Sequence, residues 1–311
     1  MVKKVLAVVG PTAIGKTTVA IDLAKELDGE IISADSMQVY RGMDIGTAKP
    51  SKKQLSEAIH HLIDIVDVSE EFNVSIFQRI AREAIDEICA KTKLPILVGG
   101  SGLYVRAAVD DLQFAEGELG SEIRRTYETD NDKEKLELWK RLKKIDPESA
   151  KRIPYQNQRR VVRALEVIES SGDPFSKRLI DWENKKSIYN TLFIGLTMAR
   201  EQLYERIETR VDEMINRGLL DEVNKIVEED GPMSVTAGQA LGYKELLDID
   251  INDLSEAIKE IKKRTRNLAK RQMTWFKRDE RINWIEVGKR NESEIVGDII
   301  DLVSRRGFIV R

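Results

Sequence analysis

The sequence predicts an α/β fold: a parallel sheet carrying a phosphate loop (P-loop), covered by helices on both faces and interrupted by an inserted all-helical domain. Three observations predict it. Short, continuously apolar runs alternate with longer segments of helical period, the pattern of buried parallel strands. A glycine-lysine loop joins the first apolar run to the first helix. The alternation then stops over residues 116–187 and resumes after them.

The elements follow in order. Residues 5–9, 30–34, 62–66 and 95–98 read as buried strands, and 191–197 and 282–285 as later ones. Helices are expected over 16–27 and 75–91, with a long one after Gly102-Leu103. From Glu116 to about Lys186 the chain is polar and helical, punctuated at Pro147, Pro154 and Gly172-Asp173-Pro174. Helices are expected again over 201–217, 219–229 and 255–278. The core is therefore discontinuous, 1–115 with 188–311, around an insertion at 116–187.

Composition bounds the function. The 311 residues are enough for about two domains at ~150 each. Hydrophobic residues make up 41% and charged residues 34%, which excludes global disorder. No apolar run approaches the ~18 residues of a membrane span, and the run at 5–9 is too short for a signal peptide. Cys89 is the one cysteine, so no intrachain disulfide and no cysteine-rich zinc site can form. One cysteine and two histidines fit a reducing setting, and a cytoplasmic location is expected. His60 and His61 lack companions for a metal site, so core or surface roles are expected of them.

Gly10-Pro11-Thr12-Ala13-Ile14-Gly15-Lys16-Thr17 matches G-x-x-x-x-G-K-[ST], between an apolar strand and a helix. Glycines let backbone N–H groups turn inward around a phosphate, and the helix N-terminus adds positive potential. Lys16 supplies a point charge. The Thr17 hydroxyl can bind Mg²⁺ or a phosphate oxygen. A plain glycine turn is the bland alternative, but strand, loop and helix coincide here. Asp35 ends the strand at 30–34, one strand away from the loop, at the carboxyl edge where open α/β sheets place ligands. It can serve as metal ligand or base, or simply as a turn residue. A second cluster, Gly99-Gly100-Ser101-Gly102, joins another strand to a helix.

The net charge of −3 hides two basic runs. Residues 259–281 hold ten Lys/Arg against Glu260, Asp279 and Glu280, with Trp275 and Phe276 nearby. Residues 151–163 include Arg159, Arg160 and Arg163 and no acid. Such runs attract phosphate backbones, although a single run is usually a solvated helix face. Arg206 and Arg210 share a helical face. They can serve a phosphate or pair with Glu205, Glu208 and Asp212.

Several blocks carry a resemblance: the P-loop, Ser33-Ala34-Asp35-Ser36-Met37-Gln38-Val39-Tyr40, Met43-Asp44-Ile45-Gly46-Thr47-Ala48-Lys49-Pro50, His60-His61-Leu62-Ile63-Asp64 and Gly99-Gly100-Ser101-Gly102-Leu103-Tyr104. Gln158-Arg159-Arg160-Val161-Val162-Arg163 and Ala269-Lys270-Arg271-Gln272-Met273-Thr274-Trp275-Phe276 continue the series. Together they resemble the bacterial type of tRNA dimethylallyltransferase (tRNA isopentenyltransferase). The resemblance implies a nucleotide-kinase-like fold whose helical insertion grips the anticodon stem-loop of tRNA. It implies transfer of a dimethylallyl group from dimethylallyl diphosphate to N6 of adenine 37, with Mg²⁺ as cofactor. By motif, Asp35 would be the base, assisted by Thr17, Lys16 and Arg210. Gly10, Pro11, Thr12, Ala13, Ile14, Gly15, Lys16 and Thr17 would cradle the diphosphate, and Thr17 would also meet the metal. Asp35, Ser36, Met37, Gln38, Ser101, Arg124, Arg159, Arg160, Val161, Val162 and Arg163 would meet tRNA. Ser101 stands where the family often has Thr, and Ile14 where it usually has Ser. A monomer is expected. The competing readings are a P-loop kinase of small molecules, which needs no basic runs, and a non-catalytic RNA-binding module, which needs no Asp35.

Overall fold

A computed structural model describes residues 2–114, 126–127, 131–177, 185–229, 231–247 and 253–308. The strands are β1 (Lys4–Val9), β2 (Gly29–Ser33), β3 (His60–His61), β4 (Leu94–Gly99), β5 (Asn190–Thr197) and β6 (Ile282–Glu286). The helices are α1 (Lys16–Glu26), α2 (Lys52–Glu57), α3 (Val74–Ala90), α4 (Gly102–Val109), α5 (Asp132–Ile145), α6 (Pro147–Arg152) and α7 (Gln158–Ser171). After β5 come α8 (Arg200–Asn216), α9 (Leu219–Glu229), α10 (Tyr243–Leu247), α11 (Leu254–Phe276) and α12 (Glu292–Arg305). The chain divides into two compact units, Met1–Val109 with Ser187–Arg311, and Asp110–Lys186.

In the first unit the six strands lie in the order β3-β2-β4-β1-β5-β6, every pair parallel. Leu6, Val8, Ile31, Ile96 and Val98 face one core with α1, α8 and α12. Side chains alternate along a strand, so the residues between them face the other way. There α3 and α4 pack on each other and on β4. β1 is central, and its carboxyl end delivers the P-loop. β4 lies between β1 and β2, so the loop and Asp35 leave strands that are not neighbours.

Two expected elements differ. Residues 62–66 are not a strand: pairing stops at His61, and Leu62 and Asp64 take left-handed backbone at φ 64° and 55°. Long-range bonds impose this bend. Asp64 N–H donates to the Gln38 carbonyl at 3.2 Å, and the Asp64 carboxylate pairs with the buried Lys49 ammonium. The helix after Gly102 spans eight residues, not a long stretch.

The elements of the second unit among its described residues are helices joined by turns and loops. Leu142, Ala150, Ile153, Val161, Ala164, Leu165, Val167 and Phe175 form its core. Asp146 caps α6, accepting the Ser149 N–H at 3.1 Å and the Ser176 N–H at 2.7 Å. Pro147 opens α6, where its missing N–H costs nothing, and Gly172 closes α7 at φ 73°. No helix among the described residues is long and apolar enough to cross a membrane.

Candidate active site

The P-loop is shaped by its backbone. Ala13 at φ 63° and Gly15 at φ 99° are left-handed. Residues of alternating hand turn successive N–H groups to one side, making an anion nest at the start of α1. Gly10 is required by contact: a Cβ there would lie 2.9 Å from the Leu196 carbonyl oxygen. Ile14 buries its side chain in the core and leaves only its backbone for a ligand. Gly10 and Pro11 are buried behind the loop, and the Pro11 carbonyl accepts from Lys16 Nζ at 2.8 Å.

Thr12, Ala13, Gly15, Lys16 and Thr17 line a cleft of about 680 Å³, with Asp35, Gln38, Gly99, Gly100 and Arg210 across from them. Burial pushes the Lys16 ammonium down to about 8; Asp35 pulls it up and Arg210 lowers it further. Arg210 is also held below its usual value by burial, against the pull of Asp35. Arg206 and Arg210 make no hydrogen bond or ion pair with another described residue. Two of the acids that could have neutralised them are taken by α11. Asp212 pairs with Lys262 at 2.7 Å and Glu208 with Arg266 at 2.7 Å. Arg210 is thus a half-buried cation with no hydrogen-bonded or ion-paired acid among the described residues, and Asp35 and Glu213 act on it only through space, as suits a group that meets an anionic ligand.

Asp35 is also a turn residue. Its Oδ1 accepts the Met37 N–H at 2.9 Å and the Gln38 N–H at 3.4 Å. These bonds fix the carboxylate and do not occupy its other oxygen. Gln38 extends the frame, accepting from the Ser33 hydroxyl at 2.9 Å and donating to the Thr47 and Ala48 carbonyls, each at 3.3 Å. A smaller apolar chamber of about 120 Å³ opens beside Asp35 and Arg210, lined by Met37, Ile207, Val211, Met214, Leu219 and Leu268. Anion nest, unpaired cations, poised carboxylate and apolar chamber meet at the carboxyl edge of one sheet.

The IPP transferase family profile matches residues 38–279 of this sequence. This chain belongs to that family. The tRNA dimethylallyltransferase of Natranaerobius thermophilus is 42% identical over 306 residues, covering 97% of this chain and 92% of the relative. The structure of the tRNA isopentenylpyrophosphate transferase of Bacillus halodurans matches with a TM-score of 0.73 at 42% identity, over 98% of this chain and 96% of that one. A eukaryotic dimethylallyltransferase acting on tRNA matches with a TM-score of 0.81 at 27% identity, over 98% of this chain and 79% of that chain.

For an IPP transferase, the remaining candidates sort by position. Ser36 and Met37 continue the Asp35 turn, and Met37 lines the apolar chamber. Ser101 is half-buried beside Gly100, and its carbonyl starts α4. In the second unit, Arg159 and Arg160 are exposed on the first turn of α7 and unpaired among the described residues. Val161 and Val162 are buried, so their side chains pack and do not face a ligand. Arg163 is tied to Glu166 at 3.0 Å. Arg124 lies outside the described residues. In the basic run, Lys259, Lys262, Lys263, Arg264, Arg266 and Arg281 are held in ion pairs. Lys270, Arg271 and Lys277 make no ion pair among the described residues. His60 Nδ1 donates to the Ala58 carbonyl at 2.8 Å, and His61 Nε2 meets Glu30 at 2.7 Å.

Two residues at the site went unassigned in the sequence. Glu222 accepts N–H groups of Asp44, Ile45 and Gly46 at 2.8–3.2 Å and the Tyr243 hydroxyl at 2.5 Å, clamping the loop that Gln38 reads. Gln272 touches the P-loop. Glu222 has no local signal, and Gln272 lies in the quoted block 269–276 without a role there, because each acts on a segment far away in sequence. The donor set also bears on metal. Among the described residues no group of three or more His, Cys, Asp or Glu could hold an ion. A hydroxyl at Thr17 beside an anion nest fits an ion that takes most of its ligands from phosphate oxygens and water, as Mg²⁺ does.

Proposed function

We propose that this protein transfers a dimethylallyl group from dimethylallyl diphosphate to N6 of adenine 37, beside the anticodon of tRNA, releasing diphosphate. The observation that carries the reading is Arg210: a half-buried cation with no hydrogen-bonded or ion-paired acid among the described residues, sharing one cleft with the P-loop, Lys16 and Asp35. An allylic diphosphate leaves when its growing charge is neutralised. Backbone N–H groups of residues 13–17, Lys16 and Arg210 supply that neutralisation from fixed positions. The Thr17 hydroxyl would hold Mg²⁺, which would supply Lewis-acid stabilisation of the leaving group when bound.

The allyl C1–O bond breaks and the N6–C1 bond forms. The exocyclic amine is a weak nucleophile because its lone pair is delocalised into the purine. Asp35 takes the N6 proton as the bond forms, a step worth typically ~10²–10⁴ in rate. Adenine can react only when unstacked, so the base is extruded into the cleft. The apolar chamber beside Asp35 suits the five-carbon chain. Arg159 and Arg160 engage the RNA backbone as exposed, unpaired cations.

Nucleoside analysis of tRNA incubated with the protein, Mg²⁺ and dimethylallyl diphosphate tests the reading. The expected product is N6-dimethylallyladenosine with one diphosphate released per modification. Asp35→Asn is expected to lose about 10²–10⁴ in rate with tRNA binding retained. Unmodified tRNA together with consumption of a nucleoside triphosphate would make the protein a kinase. Full turnover by Asp35→Asn would remove the base.

A further inference from the structure

Gln272 holds the P-loop by one end of its amide and leaves the other end in the cleft. It sits in the last turns of α11, 260 residues from the loop it touches. Its Oε1 accepts the Thr12 N–H at 2.8 Å. A backbone N–H can only donate, so the amide oxygen must face the loop, and this fixes where the nitrogen lies. That nitrogen rests against the second glycine turn: a Cβ on Gly100 would come within 2.4 Å of Nε2. Nε2 makes no hydrogen bond with another described residue. Gln272 lines the same cleft as Lys16, Thr17 and Arg210.

The bond to Thr12 falls directly before Ala13, whose left-handed backbone persists only where its surroundings hold it. Oε1 is thus spent on the shape of the nest. Nε2 is a neutral, oriented donor at its rim, with two hydrogens and no acceptor. No described residue accepts from it, and it shares the cleft with the P-loop N–H groups, Lys16 and Arg210 as well as with Asp35, Glu205 and Glu213.

We propose that Gln272 is a diphosphate-binding residue. Nε2 donates to a non-bridging oxygen of the diphosphate held in the P-loop, an assignment that rests on the function proposed above. The Oε1 bond to the Thr12 N–H holds the amide rigid, so ligand and loop geometry are set by one side chain. This also explains the bare glycine at position 100, because any side chain there would displace the donor.

Gln272→Glu and Gln272→Met test it in the full-length protein. Glutamate keeps one oxygen for the Thr12 N–H and replaces the donor with a negative acceptor. With Mg²⁺ and no tRNA, its affinity for inorganic diphosphate by titration calorimetry is expected to fall by about tenfold or more. KM for dimethylallyl diphosphate should rise in step, with KM for tRNA unchanged and the melting temperature of the ligand-free protein retained. Methionine, which loses both bonds, should weaken diphosphate as well. Wild-type diphosphate affinity in Gln272→Glu would overturn the assignment, as would a rise confined to KM for tRNA. A wild-type protein that binds diphosphate through Gln272 yet prenylates no tRNA would uphold this contact and overturn only the proposed reaction.

Discussion

Replacing Lys16 with methionine should make the ligand-free protein more stable while destroying its affinity for diphosphate. Folding carries Lys16 from water, where its pKa is 10.5, into a cleft where burial brings it to about 8. Between those two pH values the unfolded chain binds the proton and the folded chain does not. Stability therefore rises with pH across that window, and the full penalty is present below pH 8. The drop corresponds to about 3 kcal/mol at most, reduced because water reaches the ammonium from the open cleft. Lys16→Met also gives up the bond to the Pro11 carbonyl, worth about 1 kcal/mol. The net expectation is a gain of about 1–2 kcal/mol at pH 7, or roughly 2–5 °C in melting temperature. Thermal denaturation at pH 7 and pH 10, with and without diphosphate, measures it. The gap should shrink at pH 10, where wild-type Lys16 is already neutral. Added diphosphate should raise the wild-type melting temperature and leave the variant unmoved. A variant that melts at or below wild type at pH 7, with a difference independent of pH, would refute the argument that Lys16 is a strained cation kept for its ligand.

Other outcomes follow from single contacts. Gly102→Ala would bring a Cβ to 1.9 Å from Trp275 Cδ1, so the indole must move, at a cost of about 1–3 kcal/mol in urea unfolding. Near-ultraviolet circular dichroism should change with it; an unchanged spectrum and midpoint would show that the ring is not packed there. Glu222→Ala strips the acceptor from the N–H groups of Asp44, Ile45 and Gly46 and from the fully buried Tyr243, with an expected loss of about 2–4 kcal/mol. Wild-type stability in that variant would mean the clamp is redundant. Replacing Arg159 and Arg160 by serine should weaken tRNA binding and lower its salt slope by about 1–2, leaving KM for dimethylallyl diphosphate unchanged. Equal slopes would take α7 out of the RNA contact.

The sequence alone determined whatever depends on neighbours along the chain. The strand-loop-helix of residues 4–26 is contiguous, so periodicity and glycine spacing were enough to locate both the P-loop and the start of α1 at Lys16. The same holds for α9, whose bounds Leu219–Glu229 follow from helical period alone. Tertiary structure decided what depends on partners far away. The apolar run at 62–66 reads as a strand, but Lys49 and Gln38 bend it into left-handed backbone. The basic run of α11 reads as one uniform stripe, but acids on α8 and α10 and within α11 itself neutralise much of it, leaving Lys270, Arg271 and Lys277. The same pairing withdraws Glu208 and Asp212 from Arg206 and Arg210, which are left without an ion-paired acid among the described residues. Periodicity records the free energy of local backbone and burial. Which charge finds which counter-charge depends on the folded arrangement of helices, and no local pattern encodes that choice.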